Sequence, residues 1–182
     1  MNIGILGGGT MGEIIARALL QREVVEPDQI LVADPVLERR EELARLGVRV
    51  TEESRDLVGA TECLLVCVKP QNAREVLAPL HGMVPAETLV ISIMAGIDLS
   101  FLSELLGHEA VVRSMPNLPA RIGQGVTVWM AAAAVPDRER LLARIIFQSM
   151  GREVEVADEG LLDAATAVSG TGPAYIFYIA EN

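Results

Sequence analysis

The chain has 182 residues, of which 51% are apolar but only 3% aromatic, and 15 basic against 25 acidic side chains leave a net charge of −10. That length supports one good core and at most a small appendage, built from Val, Ile, Leu, Ala and Met. The acidic excess argues against a nucleic-acid or anionic-membrane partner, whose affinity rests on neutralising phosphate charge; an anionic ligand must be held by local dipoles and a few chosen side chains.

Strands and helices alternate from the start. A short apolar run at 2–6 leads through glycines into TMGEIIARALLQR, where Met11, Ile14, Ile15, Ala18 and Leu19 share a helical face. QILVADP (29–35) reads as a second strand, VLERREELARLG as a charged helix closed by Gly47, and VRVT as a third strand. SRDLVGA is a short helix and CLLVCVKP (63–70) a fourth strand, apolar on both faces. Helix AREVLAPL precedes strand 88–96, helix LSFLSELLG precedes strand 110–117, and GVTVWMA (125–131) follows. A long helix, DRERLLARIIFQSMG, leads to a last strand at 153–158.

Repeated β–α units with continuously apolar strands predict an α/β fold of Rossmann type, a doubly wound sheet parallel at least through its first half. Near residue 160 the alternation stops. GLLDAATAVSG reads as helix, a Gly/Ser/Thr loop follows, and Pro173 opens an apolar helix that runs to the last residue. The expected division is a nucleotide-binding domain over 1–159 and the beginning of an all-helical domain over 160–182.

The N-terminus has no basic n-region or long apolar h-region, and no run approaches the ~20 residues of a membrane span, so a soluble, cytoplasmic protein is expected. Cys63 and Cys67 lie in one apolar run with no second pair, which predicts buried, reduced thiols and no metal site. His81 and His108 read as surface loop residues.

The chemistry concentrates at strand ends. Gly7, Gly9 and Gly12 form a GxGxxG directly after a strand and at the start of a helix. The first glycine allows the tight turn, the second lets a pyrophosphate approach the backbone, and the third lets helix and strand pack closely. The helix N-terminus adds unpaired N–H groups and its dipole. Asp34 ends the second strand, where an acid receives the adenosine ribose and repels a 2′-phosphate. Arg39 and Arg40 follow and either offset that charge or form a solvated helix face. Three more ends, CVKP (67–70), IMAG (93–96) and RSMPNLPA (113–120), are ordinary βα turns if taken singly. On one rim beside a phosphate loop they extend a ligand site. Lys69 is the sole lysine and is either a ligand donor or an exposed side chain. No HExxH, GxSxG or paired-carboxylate pattern appears, so a bound cofactor would carry any reaction.

The strings IGILGGGTMG, VKPQ, VISIMAG, VRSMPNLPA and above all DAATAVSGTGPAYIFYIAE, in that order, resemble the pyrroline-5-carboxylate reductase family along nearly the whole chain. The resemblance implies hydride transfer from NADH or NADPH to the C=N carbon of 1-pyrroline-5-carboxylate, giving L-proline in the last step of proline biosynthesis. It places cofactor contacts on Leu6, Gly7, Gly8, Gly9, Thr10, Met11 and Gly12, on Asp34 and Ser54, on Cys67, Val68, Lys69 and Pro70, and on Met94, Ala95 and Gly96, with Asn117 near the nicotinamide. It implies a longer chain whose helical C-terminal part forms a homodimer or larger homo-oligomer, so that the ending here reads as a cut through that domain. Two departures stand out: Leu118 replaces a usual Thr, and Asp34 replaces the Ser, Thr or Asn of many relatives, which favours NADH. No catalytic side chain or proton donor emerges. The other readings are a related imine or β-hydroxyacid-type reductase, and an NAD(P)-binding module without turnover.

Overall fold

The computed structural model describes residues 1–181. In chain order it contains β1 (Ile3–Leu6), α1 (Thr10–Gln21), β2 (Ile30–Ala33), α2 (Leu37–Ala44), β3 (Arg49–Thr51), β4 (Cys63–Val66), α3 (Ala73–Leu77), β5 (Leu89–Ser92), α4 (Leu99–Leu106), β6 (Val111–Met115), β7 (Gly125–Ala131), α5 (Asp137–Ser149), β8 (Gly151–Glu155), α6 (Gly160–Ala165) and α7 (Gly172–Glu181). One sheet takes the eight strands in the order β3-β2-β1-β4-β5-β6-β7-β8. The first six are parallel, and β7 runs antiparallel to β6. Between β6 and β7 lies only a 3₁₀ turn, Leu118–Ile122, too short for the crossover that parallel pairing needs, so the chain must double back. Helix α5 supplies that crossover before β8, which pairs parallel with β7.

Alternate residues of each buried strand feed opposite cores, which is why the strands read as apolar without a break. Ile3, Ile5, Ile30, Val32, Leu65 and Ile91 pack with α1, Leu43 of α2 and Phe147 of α5. Leu6, Leu31, Ala33, Leu64, Val66 and Val90 pack with α3, α4 and Leu57. Full burial of one such side chain contributes roughly 1.5–3 kcal/mol. Trp129 and Phe147 meet at 5.5 Å between ring centroids and close the first core beneath β7.

Several boundaries differ from the sequence reading. The strands expected over 29–35, 63–70, 88–96 and 110–117 end at Ala33, Val66, Ser92 and Met115. The first three stop with their short neighbours, β6 stops before Pro116, which has no N–H to donate, and the overhanging residues become rim loops. Residues 54–57 and 78–80 are 3₁₀ turns. The last strand begins at Gly151, two residues before the expected start. A Cβ there would meet the Gly125 carbonyl oxygen at 2.3 Å, so glycine is what lets β8 close on β7. His108 is not a surface residue: it is 6% exposed, and its Nε2 lies 2.7 Å from the Thr88 carbonyl oxygen. His81 is exposed as expected.

The helix expected over 160–170 does not end there: the Gly/Ser/Thr stretch expected as a loop just before Pro173 is helical too. Residues Thr166–Thr171 form a π-helical turn that joins α6 to α7 without a break. Proline inside a helix removes one hydrogen bond and crowds the carbonyl four residues back, and the wider π turn gives it room. Thr166 and Ser169 hydroxyls donate to the Leu162 and Ala165 carbonyls at 2.8 and 2.9 Å. Helix α6 packs on β6 and β7 and is tied there by Arg113, a 4% exposed residue of β6 that pairs with Glu159 at 3.0 Å and Asp163 at 2.6 Å. Helix α7 presents Tyr175, Ile176, Phe177 and Ile179 to solvent.

Candidate functional site

The strand order reverses direction between β1 and β4, so the connections of these strands leave to opposite sides and open a crevice at their carboxyl ends. A cavity of about 500 Å³ lies there. Of the residues singled out in the sequence, Leu6, Gly7, Gly9, Asp34, Ser54, Cys67, Val68 and Lys69 line it.

Each glycine of the loop has a different physical constraint. Gly7 turns with φ +103°, and a Cβ on it would strike the Cys67 carbonyl at 2.9 Å. On Gly12 a Cβ would lie 2.1 Å from the Gly7 carbonyl oxygen. A Cβ on Gly8 would press on Leu43 at 2.6 Å. Gly9 has nothing within 4 Å of its Cβ position, so its lack of a side chain leaves open space at the entry to α1. That opening, together with the first-turn amides of α1, fits a pyrophosphate.

Asp34 follows β2 and is 9% exposed. Its Oδ2 accepts from the Gly8 N–H at 2.7 Å and its Oδ1 from the Val36 N–H at 2.9 Å. A carboxylate offers about four acceptor sites, so capacity remains for a ribose hydroxyl. The two arginines are neither a solvated face nor free cations. Arg39 donates to the Gly8 carbonyl from Nε at 2.9 Å and Nη2 at 2.8 Å, and pairs with Glu13 and Glu42. Arg40 donates to the Asp34 and Pro35 carbonyls and pairs with Glu52 at 3.1 Å.

Cys67 is half-buried against the first core, and burial pushes its thiol up to about 12; Cys63 is fully buried and raised by the same cause. Both are free thiols, and neither reaches the thiolate form near neutral pH. Lys69 is exposed on the cavity rim.

Gly8, Thr10, Met11, Gly12 and Pro70 border this loop system without lining the cavity. Met94, Ala95, Gly96 and Asn117 follow β5 and β6, the next two strands along the same edge. Met94 is 2% exposed within the second core, so its side chain is structural. Asn117 accepts from the Val126 N–H at 2.9 Å, which pins the start of β7. Leu118 is exposed.

Residues missed in the sequence add to the lining, Val36 beside Asp34 among them. Glu52 and Glu53 follow β3, while Asn72, Glu75, Val76 and Pro79 come from the α3 segment. The last four stand at i, i+3, i+4 and i+7, a helical stripe visible in the sequence once the strand order is known. No metal-binding group of His, Cys, Asp and Glu occurs among the described residues. Among these residues no helix is long and apolar enough to cross a membrane.

The family model described as NADP oxidoreductase coenzyme F420-dependent matches residues 2–96. Over all 182 residues the chain is 39% identical to pyrroline-5-carboxylate reductase of Synechocystis sp., covering 67% of that protein. The chain belongs to the pyrroline-5-carboxylate reductase family. A solved structure of a family member from Coxiella burnetii superposes with a TM-score of 0.91 at 30% identity, over 99% of this chain and 67% of that one. The Plasmodium falciparum pyrroline carboxylate reductase, crystallised with NADP bound, superposes with a TM-score of 0.88 at 26% identity, over 100% of this chain and 66% of that one. The chain thus spans about two thirds of the length of the relatives it matches.

Proposed function

We propose that this chain carries the cofactor half of a pyrroline-5-carboxylate reductase and acts in hydride transfer to 1-pyrroline-5-carboxylate, yielding L-proline. The observation that carries the reading is the glycine loop at the β1/β4 crevice, with open space at Gly9 above the α1 amides and the Asp34 carboxylate beside it. When bound, the reduced nicotinamide supplies the hydride.

The chain's own residues bind and orient. The α1 amides and Gly9 receive the pyrophosphate. Val36, Val68, Val76 and Pro79 offer apolar surface to a flat base, and Asp34 accepts from the ribose. Met94 to Gly96, through their backbone, and the Asn117 amide nitrogen extend the binding edge toward the substrate. Residues 1–159 form the cofactor domain, and 160–182, of which Asn182 lies outside the described residues, begin a part that builds the substrate site and a homo-oligomer interface through the exposed apolar face of α7. A cytoplasmic location goes with this reading.

NADH is the preferred cofactor. Asp34, Glu52, Glu53 and Glu75 line the ribose end with negative charge, and both nearby arginines already have partners; a 2′-phosphate would enter this field unpaired.

The test is oxidation of NADH and of NADPH, measured separately, on adding 1-pyrroline-5-carboxylate to this chain and to one extended to the relatives' length. Turnover with NADH favoured, by the extended chain at least, is expected. Cofactor binding with no oxidation by either chain would overturn the reductase reading and leave a binding module.

A further inference from the structure

The loop that would hold the pyrophosphate is gripped from outside by a residue that no motif marks. Both backbone polar groups of Gly8 are engaged: its N–H donates to Asp34 Oδ2, and its carbonyl accepts a fork from Arg39 Nε and Nη2. That carbonyl is therefore turned toward α2 and away from the first turn of α1, whose ladder begins with the Glu13 N–H on the Gly9 carbonyl at 2.9 Å. The amides of Gly9, Thr10 and Met11 have no partner among the described residues, as expected for the first donors of a helix. Arg39 is itself fixed: Nη2 also reaches Glu13 Oε2 at 2.7 Å and Nη1 reaches Glu42, while Glu13 is braced by Arg17 at 2.8 Å.

A glycine-rich loop is the segment with the most backbone freedom to lose on ordering. A fork of charge-assisted hydrogen bonds on its middle peptide removes that freedom before any ligand arrives. We propose that Arg39 is a positioning residue for the dinucleotide loop: it holds the Gly8 peptide so that the Gly9, Thr10 and Met11 amides face a pyrophosphate, and it acts equally on cofactors with and without a 2′-phosphate. This rests on the dinucleotide reading above. It differs from a role as 2′-phosphate ligand, for which the guanidinium would have to be free, and from that of a surface ion pair, for which the Gly8 carbonyl would be irrelevant.

The experiment compares the wild-type chain with Arg39→Met and Arg39→Lys. Dissociation constants are measured for NADH, NADPH, ADP-ribose and adenosine, alongside amide hydrogen exchange at Gly8 without ligand and far-UV circular dichroism. In Arg39→Met, affinity for all three pyrophosphate ligands should fall about tenfold, the scale of a lost charge-assisted hydrogen bond. Adenosine affinity should be unchanged, and Gly8 exchange should quicken. Arg39→Lys keeps the charge near Glu13 and Glu42 but cannot fork onto the carbonyl, so it should restore part of the affinity; it carries the test if the Met variant fails to fold. A loss confined to NADPH would make Arg39 a phosphate ligand and overturn the proposal. Unchanged affinities would reduce it to a surface ion pair, and an equal loss for adenosine would mean general damage; either also overturns it. If the wild-type chain binds no pyrophosphate ligand, the dinucleotide reading itself fails.

Discussion

The Gly7 carbonyl oxygen lies 2.1 Å from where a Cβ of Gly12 would stand, so α1 is seated against the end of β1 more closely than any other residue type allows. Gly12→Ala must therefore lift the helix or twist the loop, and overpacking of this kind costs about 1–3 kcal/mol. Gly9→Ala meets nothing of its own chain within 4 Å, and its effect on stability should stay within about 0.5 kcal/mol. Urea unfolding and NADH titration of the two variants should separate: Gly12→Ala loses stability and binding together, Gly9→Ala loses binding alone. Unimpaired NADH affinity in Gly9→Ala would remove the pyrophosphate from this loop.

Asp34 accepts from the Gly8 N–H and lines the crevice at the ends of β1 and β4. Replacing it by Ser removes the charge that opposes a 2′-phosphate but retains a hydroxyl near Gly8. The ratio of NADPH to NADH affinity should rise at least about tenfold, since like charges a few ångströms apart near a protein surface repel by more than about 1.4 kcal/mol. An unchanged ratio would take Asp34 out of cofactor selection.

The buried guanidinium of Arg113 depends on Glu159, which also accepts from the Leu99 N–H at 2.9 Å. Glu159→Gln leaves a 4% exposed cation with one exposed partner, and should cost on the order of 1–3 kcal/mol. Asp163 is 66% exposed at its side chain, so Asp163→Asn should cost less than about 1 kcal/mol. Limited proteolysis should show faster cleavage around 156–170 in the Glu159 variant. Equal protection in both variants would mean that Leu162, buried at 1% exposure, holds α6 without the ion pairs.

Asp98 caps α4 by accepting from the Phe101 N–H at 2.7 Å; that hydrogen bond first, and then the Ser100 hydroxyl, lower its pKa below 3.8. A carboxyl depressed by folding contributes stability above its unfolded pKa and loses it as the pH falls through the folded value. Asp98→Ala should therefore cost about 1 kcal/mol at pH 7. Denaturant unfolding should show the gap between variant and wild type closing below pH 3.8. A gap independent of pH would assign the loss to helix propensity and not to the charge.

Much of this molecule is legible from local pattern. Continuous apolar strands alternating with amphipathic helices require a sheet covered on both faces, and the glycines directly after β1 mark where the chain must turn and pack tightly. Even the stripe of Asn72, Glu75, Val76 and Pro79 in and around α3 has a helical period, although the strand order is needed to place it at the crevice. Other features are hidden because their causes lie far away in sequence. Arg39 reads either as a counter-charge to Asp34 or as part of a solvated helix face, yet it grips a carbonyl 31 positions earlier. His108 sits between Gly107 and Glu109 in a loop, but folding turns it onto the Thr88 carbonyl. The stretch 169–172 before Pro173 has the composition of a loop, yet it stays helical and the Ser169 hydroxyl donates to the Ala165 carbonyl.

By itself, then, the amino-acid sequence determined the layered α/β class, the phosphate-loop pattern and membership of a reductase family, because each depends on residue types at short, regular spacings. Tertiary structure alone decided where strands stop, which acids meet around the crevice and that both arginines are already engaged. Those outcomes depend on strand order and register, which bring the ends of β1, β2, β3 and β4 to one crevice, and no local pattern encodes the distance between residues that only the finished sheet makes neighbours.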